Sequence, residues 1–342
     1  MTSVTYLDYS PGGRPFIAFL SGESRTALSF FPGTTWKKKA VARYLLLSDL
    51  LGAALPGVMF RSDIELFSTT INNLRQNLNE KYAIAGRSFL LMHNREYSRQ
   101  RAYLWCFDDR KKLTAFVKVG LGDANRKDLQ READALLKLK NTKITFKVPK
   151  LLAFIKQNKM TVLVISPLPS SNEIDFNYLP WHLIEKHFIE LKNSTTRKIA
   201  ASQLLSLNWY QNFSSMLKSQ TIMAINEFFM DKNVVISFIH GDMGSENSFL
   251  FKDRLWIVDW EKSTQDGPVA TDEVAHWLGK TVKKNGLNRQ LIDAFNTNFL
   301  FTGGNLNPDI FLALCYLKSV HFPPGEFVFD DFEKTFLAKR GK

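Results

Sequence analysis

Cysteine is scarce in this chain. Two occur in 342 residues, Cys106 and Cys315, far apart in sequence. That excludes a disulfide framework and a C-x-x-C metal pair, and the expectation is a reducing compartment, the cytoplasm. The start, MTSVTYLDYSPGGRP, has no basic segment followed by an apolar run, so no secretory signal is read there. Long apolar runs are missing too. The most apolar stretch, YLLLSDLLGAALPGVMF at 44–60, holds Asp49, two glycines and Pro56, and falls short of a transmembrane segment. It reads as a buried helix ending near Pro56; a helix lying on a membrane surface is the lesser reading, prompted by the preceding WKKKAVAR. No G-x-S-x-G elbow occurs, and SGES at 21–24 lacks a strand-to-helix setting, which argues against a Ser-His-Asp hydrolase. His182 and His187 stand five apart with no Cys or carboxylate set beside them, so no metal site is expected there. Internal repeats and low-complexity tracts are likewise missing.

What is present is an ordinary globular composition, 45% apolar and 23% charged, in a chain long enough to bury a substantial core. The net charge of +12 is unevenly spread. Residues 81–160 hold 19 Lys and Arg against 7 Asp and Glu, which is the whole excess. Such a field suits nucleotide phosphates, nucleic acid or anionic lipid, or is simply a solvated lysine-rich face.

Residues 1–35 look irregular, and two helices are expected between 36 and 80. The second follows Ser62, with Ile64, Phe67, Ile71, Leu74 and Leu78 on one face. RSFLLMHN, RAYLWCF and LTAFVKV read as strands. An amphipathic helix over 123–140 follows, with Leu129, Ala133, Leu136, Leu137 and Lys140 at helical steps. VPKLLAFI and MTVLVIS read as two further strands, and SPLPSSN at 166–172 as a hinge. Beyond it the pattern is mainly helical. The expected fold is α+β and bilobal: a small mixed β-sheet lobe with one main helix (81–168), a larger helical lobe (169–342), and an N-terminal helical extension (1–80).

The chemistry is concentrated in FIHGDMGSEN at 238–247 and LWIVDWEKS at 255–263. SFLF and LWIV are short strands split by Lys252, Asp253 and Arg254, which predicts a hairpin. A hairpin brings its ends together, so Asn247 approaches Asp259, with Asp242 one loop away. Two carboxylates and a carboxamide suit Mg²⁺, a hard cation that takes oxygen ligands and keeps waters and substrate phosphates. The Asp-x-x-x-x-Asn spacing followed by a later Asp matches the phosphoryl-transfer template.

HGDMGSEN with IVDWE resembles the aminoglycoside phosphotransferase and choline kinase family, relatives of the protein kinases. The resemblance implies a protein-kinase-like fold and ATP-dependent phosphorylation of a small hydroxylated acceptor. It implies Asp242 as base, Asn247 and Asp259 as Mg²⁺ ligands, and His240 as a brace of the loop. It also asks for a strand lysine oriented by a helix glutamate, and Lys118 and Glu132 stand in that order. VLVISPLPS resembles the segment whose backbone meets adenine, near Ser166 to Leu168. The parts run in order over residues 86–280.

Two positions depart from the family pattern. MHNREYSRQRAY, where a glycine-rich phosphate loop belongs, has no glycine, and Arg95, Arg99 and Arg101 are candidates to compensate by charge. Glu246 stands where relatives often carry Pro or Gly. Asp272 reads as a helix cap or, by the resemblance, as a buttress of the catalytic loop. Glu261 is a further candidate for the metal shell or the acceptor. Among Trp256, Trp260 and Trp277, core packing is the expected role, with sugar stacking by one of them as the alternative. Rival readings are a catalytically silent relative binding nucleotide or a partner, and a basic nucleic-acid or membrane binder, although no nucleic acid is expected. The acceptor and the oligomeric state have no readable signal.

Overall fold

The computed structural model describes the backbone of four strands before residue 95, then residues 101–108, 110, 112–157, 160–169, 179–244, 247–285, 301, 302 and 305–321. The helices expected between 36 and 80, Arg95, Arg99 and Glu246 lie outside the described residues. The chain divides into two compact units.

The first unit is built on an eight-stranded sheet. Its strands are β1 (Tyr6–Tyr9), β2 (Ile17–Leu20), β3 (Val58–Arg61), β4 (Ser88–Asn94), β5 (Arg101–Phe107), β6 (Leu113–Leu121), β7 (Leu151–Gln157) and β8 (Met160–Ile165). They lie in the order β3-β1-β2-β4-β5-β6-β8-β7. Five of these strands follow the sequence reading closely. The stretch 1–35, read as irregular, instead contributes β1 and β2, paired antiparallel from Tyr6↔Leu20 to Tyr9↔Ile17.

One helix, α1 (Gly122–Lys140), packs with this sheet. Leu129, Ala133 and Leu136 are buried as the periodicity predicts, but Leu137 is 49% exposed and Leu139 takes its place. Lys140, the last helical residue, is exposed. Helix and strand approach closely because Gly120 has no side chain: a Cβ there would lie 2.6 Å from Cβ of Asn125. The buried inner face of α1 is partly polar, with Asn125, Asp128 and Glu132 among the hydrocarbon residues.

The second unit is mainly helical. It holds α2 (Trp181–Thr195), β9 (Arg197–Ala200), α3 (Ala201–Leu204), α4 (Asn208–Ser214), α5 (Ser219–Phe229), β10 (Asn233–Ile239), the start of β11 (Ser248–Phe251), whose end at Leu250–Asp253 groups with the first unit, and β12 (Arg254–Ile257). A 3₁₀ turn (Trp260–Lys262), β13 (Thr264–Pro268), α6 (Thr271–Asn285), β14 (Phe301–Thr302), β15 (Asn305–Leu306) and α7 (Pro308–His321) complete it. β10 is flanked by β9 and β13, both antiparallel. In α7, residues from Ile310 to Lys318 are all buried, so this helix is central to the core rather than amphipathic. Phe213, Phe229 and Phe311 fill the same core. A small sheet lobe with one main helix, joined to a larger helical lobe in this element order, is the protein-kinase-like fold.

Candidate active site

Lys118 lies in β6, between Tyr103 of β5 and Leu163 of β8. Its ammonium donates to both carboxylate oxygens of Glu132 on α1, at 2.9 and 2.7 Å. Lys118 is 6% exposed and Glu132 is fully buried, so neither charge has bulk water to fall back on. Buried charges persist only when paired, which ties strand to helix at this point. Arg101 is tied to the same helix. Its Nε donates to Asn125 Oδ1 at 2.8 Å and its guanidinium pairs with Asp128 at 3.0 Å, both inward on α1. Asn125 and Asp128 hold its charge against the helix.

Ser166 and Lys150 clamp one another. Ser166 N–H donates to the Lys150 carbonyl at 2.8 Å, and Lys150 N–H donates to Ser166 Oγ at 2.9 Å. Pro167 has no N–H, and Leu168 beside it is half-buried.

In the second unit, β10 delivers the chain into His240, Gly241 and Asp242. His240 is fully buried and both its ring nitrogens are engaged. Asp242 N–H donates to Nδ1 at 3.2 Å, which makes Nδ1 an acceptor. Nε2 therefore carries the proton and donates to the Val258 carbonyl at 2.9 Å. The ring also packs on Trp260, centroids 4.6 Å apart. His240 thus joins the catalytic-type loop to the end of the hairpin. Asp272 holds the loop from beneath: its two oxygens accept the N–H groups of His240 at 2.9 Å and Gly241 at 2.8 Å. Of its two readings, the buttress is the one these bonds describe.

Gly241 has φ +82°, and a Cβ there would lie 2.2 Å from the Lys262 carbonyl oxygen. Only glycine fits that approach. The loop then closes on itself. The Asp242 carbonyl accepts Gly244 N–H at 2.8 Å and Asn247 Nδ2 at 2.7 Å. The amide nitrogen of Asn247 is thus turned into its own loop. Val258 N–H donates to the Asn247 carbonyl at 2.9 Å, so the two ends of the β11–β12 hairpin meet as the strand pattern predicts. Its tip uses positive φ at Lys252 and Asp253, the geometry of a two-residue turn.

Asp259 follows directly, with φ 66° in the left-handed region. Asp tolerates that conformation better than most residues, but it remains a strained position of the kind found at functional sites. The Asp259 and Glu261 carboxylates approach within 4.8 Å. Two carboxylates this close offer hard oxygen donors of the kind Mg²⁺ takes. Asp242 is half-buried nearby in sequence. Trp260 is fully buried, stacked between Phe146 at 6.1 Å and Phe238 at 5.7 Å, so it is core and not a sugar platform. Trp256 stacks on Phe249 at 6.2 Å, and Trp277 packs against the core. His187 Nδ1 meets Thr145 Oγ1 at 2.8 Å, while His182 is exposed.

No family model matches the chain, and no curated protein matches it. Solved structures do match it. A Haemophilus somnus protein provisionally assigned as a fructosamine-3-kinase is 13% identical, with 78% of this chain and 96% of that chain covered, at a TM-score of 0.43. A spectinomycin phosphotransferase solved with ADP and spectinomycin is 15% identical, covering 78% and 88%, at 0.42. APH(2")-IIia, solved with GDP and kanamycin, is 9% identical, covering 79% and 99%, at 0.44.

Proposed function

We propose that this protein is an ATP-dependent phosphotransferase that moves the γ-phosphoryl group to a hydroxyl of a small molecule: a sugar, an amino alcohol or an aminoglycoside-like acceptor. The observation that supports it is the single bonded assembly of residues 240–262. There the Asn247 side chain donates to the carbonyl of half-buried Asp242, and the Asn247 carbonyl accepts from Val258, the neighbour of Asp259 with its left-handed backbone.

In this reading residues 81–168 bind the nucleotide and residues 169–342 carry the catalytic and acceptor groups. Lys118, held extended by Glu132, grips the α- and β-phosphates. The Ser166 carbonyl and Leu168 N–H meet adenine, since Ser166 N–H is already given to Lys150. Asn247 and Asp259 hold magnesium, with Glu261 beside them. Magnesium, when bound, neutralises charge on the β- and γ-phosphates. Asp242 orients the acceptor hydroxyl and takes its proton. Positioning and charge stabilisation supply most of the rate.

The test is Mg²⁺-dependent ATP consumption with a panel of hydroxylated amines, sugars and amino alcohols. Turnover is expected with at least one class, and Asp242→Asn is expected to lower kcat by roughly 10²–10⁴-fold while ATP still binds. One observation favours a second reading: residues 92–103 contain no glycine to let a backbone close over phosphates. ATP binding without consumption across the whole panel would favour a silent nucleotide-binding protein.

A further inference from the structure

Tyr316 lies outside every motif of the sequence, deep in α7. Its ring packs edge-on to Trp209, centroids 5.8 Å apart, within the core of the second unit. Phenylalanine would fill that space equally well. The hydroxyl is the surplus feature, and it donates to the Lys262 carbonyl at 2.6 Å. That same carbonyl lies 2.2 Å from the position a Gly241 Cβ would take, and the Tyr316 hydroxyl lies 3.0 Å from that position. Three elements therefore cross at one point: the His-Gly-Asp loop, the 3₁₀ turn after Asp259, and α7.

The Lys262 carbonyl faces the Cα of Gly241 and not its N–H, which is given to Asp272. A carbonyl pressed against a Cα needs a donor elsewhere, because an unsatisfied buried C=O is costly. Tyr316 is such a donor. By fixing this carbonyl it fixes the pitch of the turn that carries Asp259 at its start and Glu261 within it. It fixes that pitch against Gly241, the neighbour of Asp242.

We propose that Tyr316 is a positioning residue, whose hydroxyl acts through the Lys262 carbonyl to set the spacing between the loop bearing Asp242 and the turn bearing Asp259 and Glu261. Its consequence for turnover rests on the phosphotransfer reading; its mechanical part does not. On this view α7 supports the loop and the turn from within the core.

Tyr316→Phe tests it, with Ser319→Ala as control. Ser319 Oγ donates to the Tyr316 carbonyl at 2.7 Å, so the control removes a hydrogen bond of the same helix without touching Lys262. The first readout is amide hydrogen exchange at Gly241 and Asp242, which needs no ligand. Tyr316→Phe is expected to speed it by about tenfold, the worth of one hydrogen bond, beyond any change at Val235 and Ile236 in β10. Ser319→Ala is expected to leave it unchanged. The second readout, in the active enzyme, is the Mg²⁺ concentration for half-maximal turnover, expected to rise several-fold with the acceptor KM unchanged.

Exchange that is unaltered, or altered only in step with β10, overturns the proposal. So does faster exchange with an unchanged Mg²⁺ requirement in an active enzyme. If the wild type consumes no ATP with any acceptor, the phosphotransfer reading fails separately and the exchange result alone decides this one. Should Tyr316→Phe not fold, 3-fluorotyrosine at 316, a stronger donor, is expected to slow the same exchange; no change would overturn the proposal.

Discussion

Lys118 and Glu132 place opposite charges out of water at the joint of β6 and α1. Removing one partner strands the other, so Lys118→Met is expected to cost about 3–5 kcal/mol, and the double variant Lys118→Met/Glu132→Leu to recover most of it. Urea denaturation measures both; a loss below about 1 kcal/mol for the single variant would mean the pair is not buried as described. Gly241 is the second sensitive residue. Gly241→Ala puts a methyl onto the Lys262 carbonyl at a positive φ, so a loss of several kcal/mol or failure to fold is expected. Wild-type melting behaviour would contradict it. Both residues were visible in the sequence, because each stands inside a local pattern: a lysine in an alternating strand, a glycine between His240 and Asp242. Tyr316 was not. It acts by one hydroxyl on one carbonyl, and a backbone carbonyl leaves no mark in a sequence.

Among elements, the β11–β12 hairpin was the most legible, since short β-rich runs around Lys252 and Asp253 leave few alternatives. β1, β2 and β9 were not legible, because each is a four-residue strand, too short to show a period and defined by its partners. The amphipathic face of α1 was read nearly right; the error at Leu137 arose because Glu132 and Asp128 occupy the inner face where apolar residues were sought.

Helices α6 and α7 support a pH prediction. Glu273, in the first turn of α6, has its carboxyl raised above 4.5 by burial and then by the charge of Glu185, with Lys192 opposing. Asp309, in the first turn of α7, is raised above 3.8 by burial. An acid with a raised folded pKa binds its proton more tightly when folded. Its stabilisation is therefore fully present below the ordinary carboxylate value and is lost as pH rises through the raised one. Glu273→Gln is expected to melt higher than wild type at pH 7 and to converge with it near pH 4. A lower melting temperature at pH 7 would contradict the burial cause.

For the whole molecule, the charge excess lies in residues 81–160, where Lys127, Lys140, Lys150 and Lys156 are exposed. Such a field attracts anions over a distance set by ionic strength. Among the described residues no helix is long and apolar enough to cross a membrane. Salt-sensitive binding to nucleic acid or anionic vesicles that survives both Asp242→Asn and Asp259→Ala would point to the rival use of this charge. The kinase-like order of elements was legible because strand, lysine, helix, hinge, loop and hairpin each carry local patterns in a fixed succession. The identity of an acceptor was not, since groups that meet it need share no spacing.

Thermal unfolding with ATP, with and without Mg²⁺, in wild type and Asp259→Asn is the most direct measurement. Asn tolerates the left-handed backbone at 259, so the variant should fold. At about a hundred times Kd, wild type should melt roughly 5 °C or more higher with both ligands present, and Asp259→Asn should lose the Mg²⁺-dependent part of that rise. No rise in wild type, or the same rise in the variant, would contradict the proposed role of Asp259 in holding magnesium beside the nucleotide.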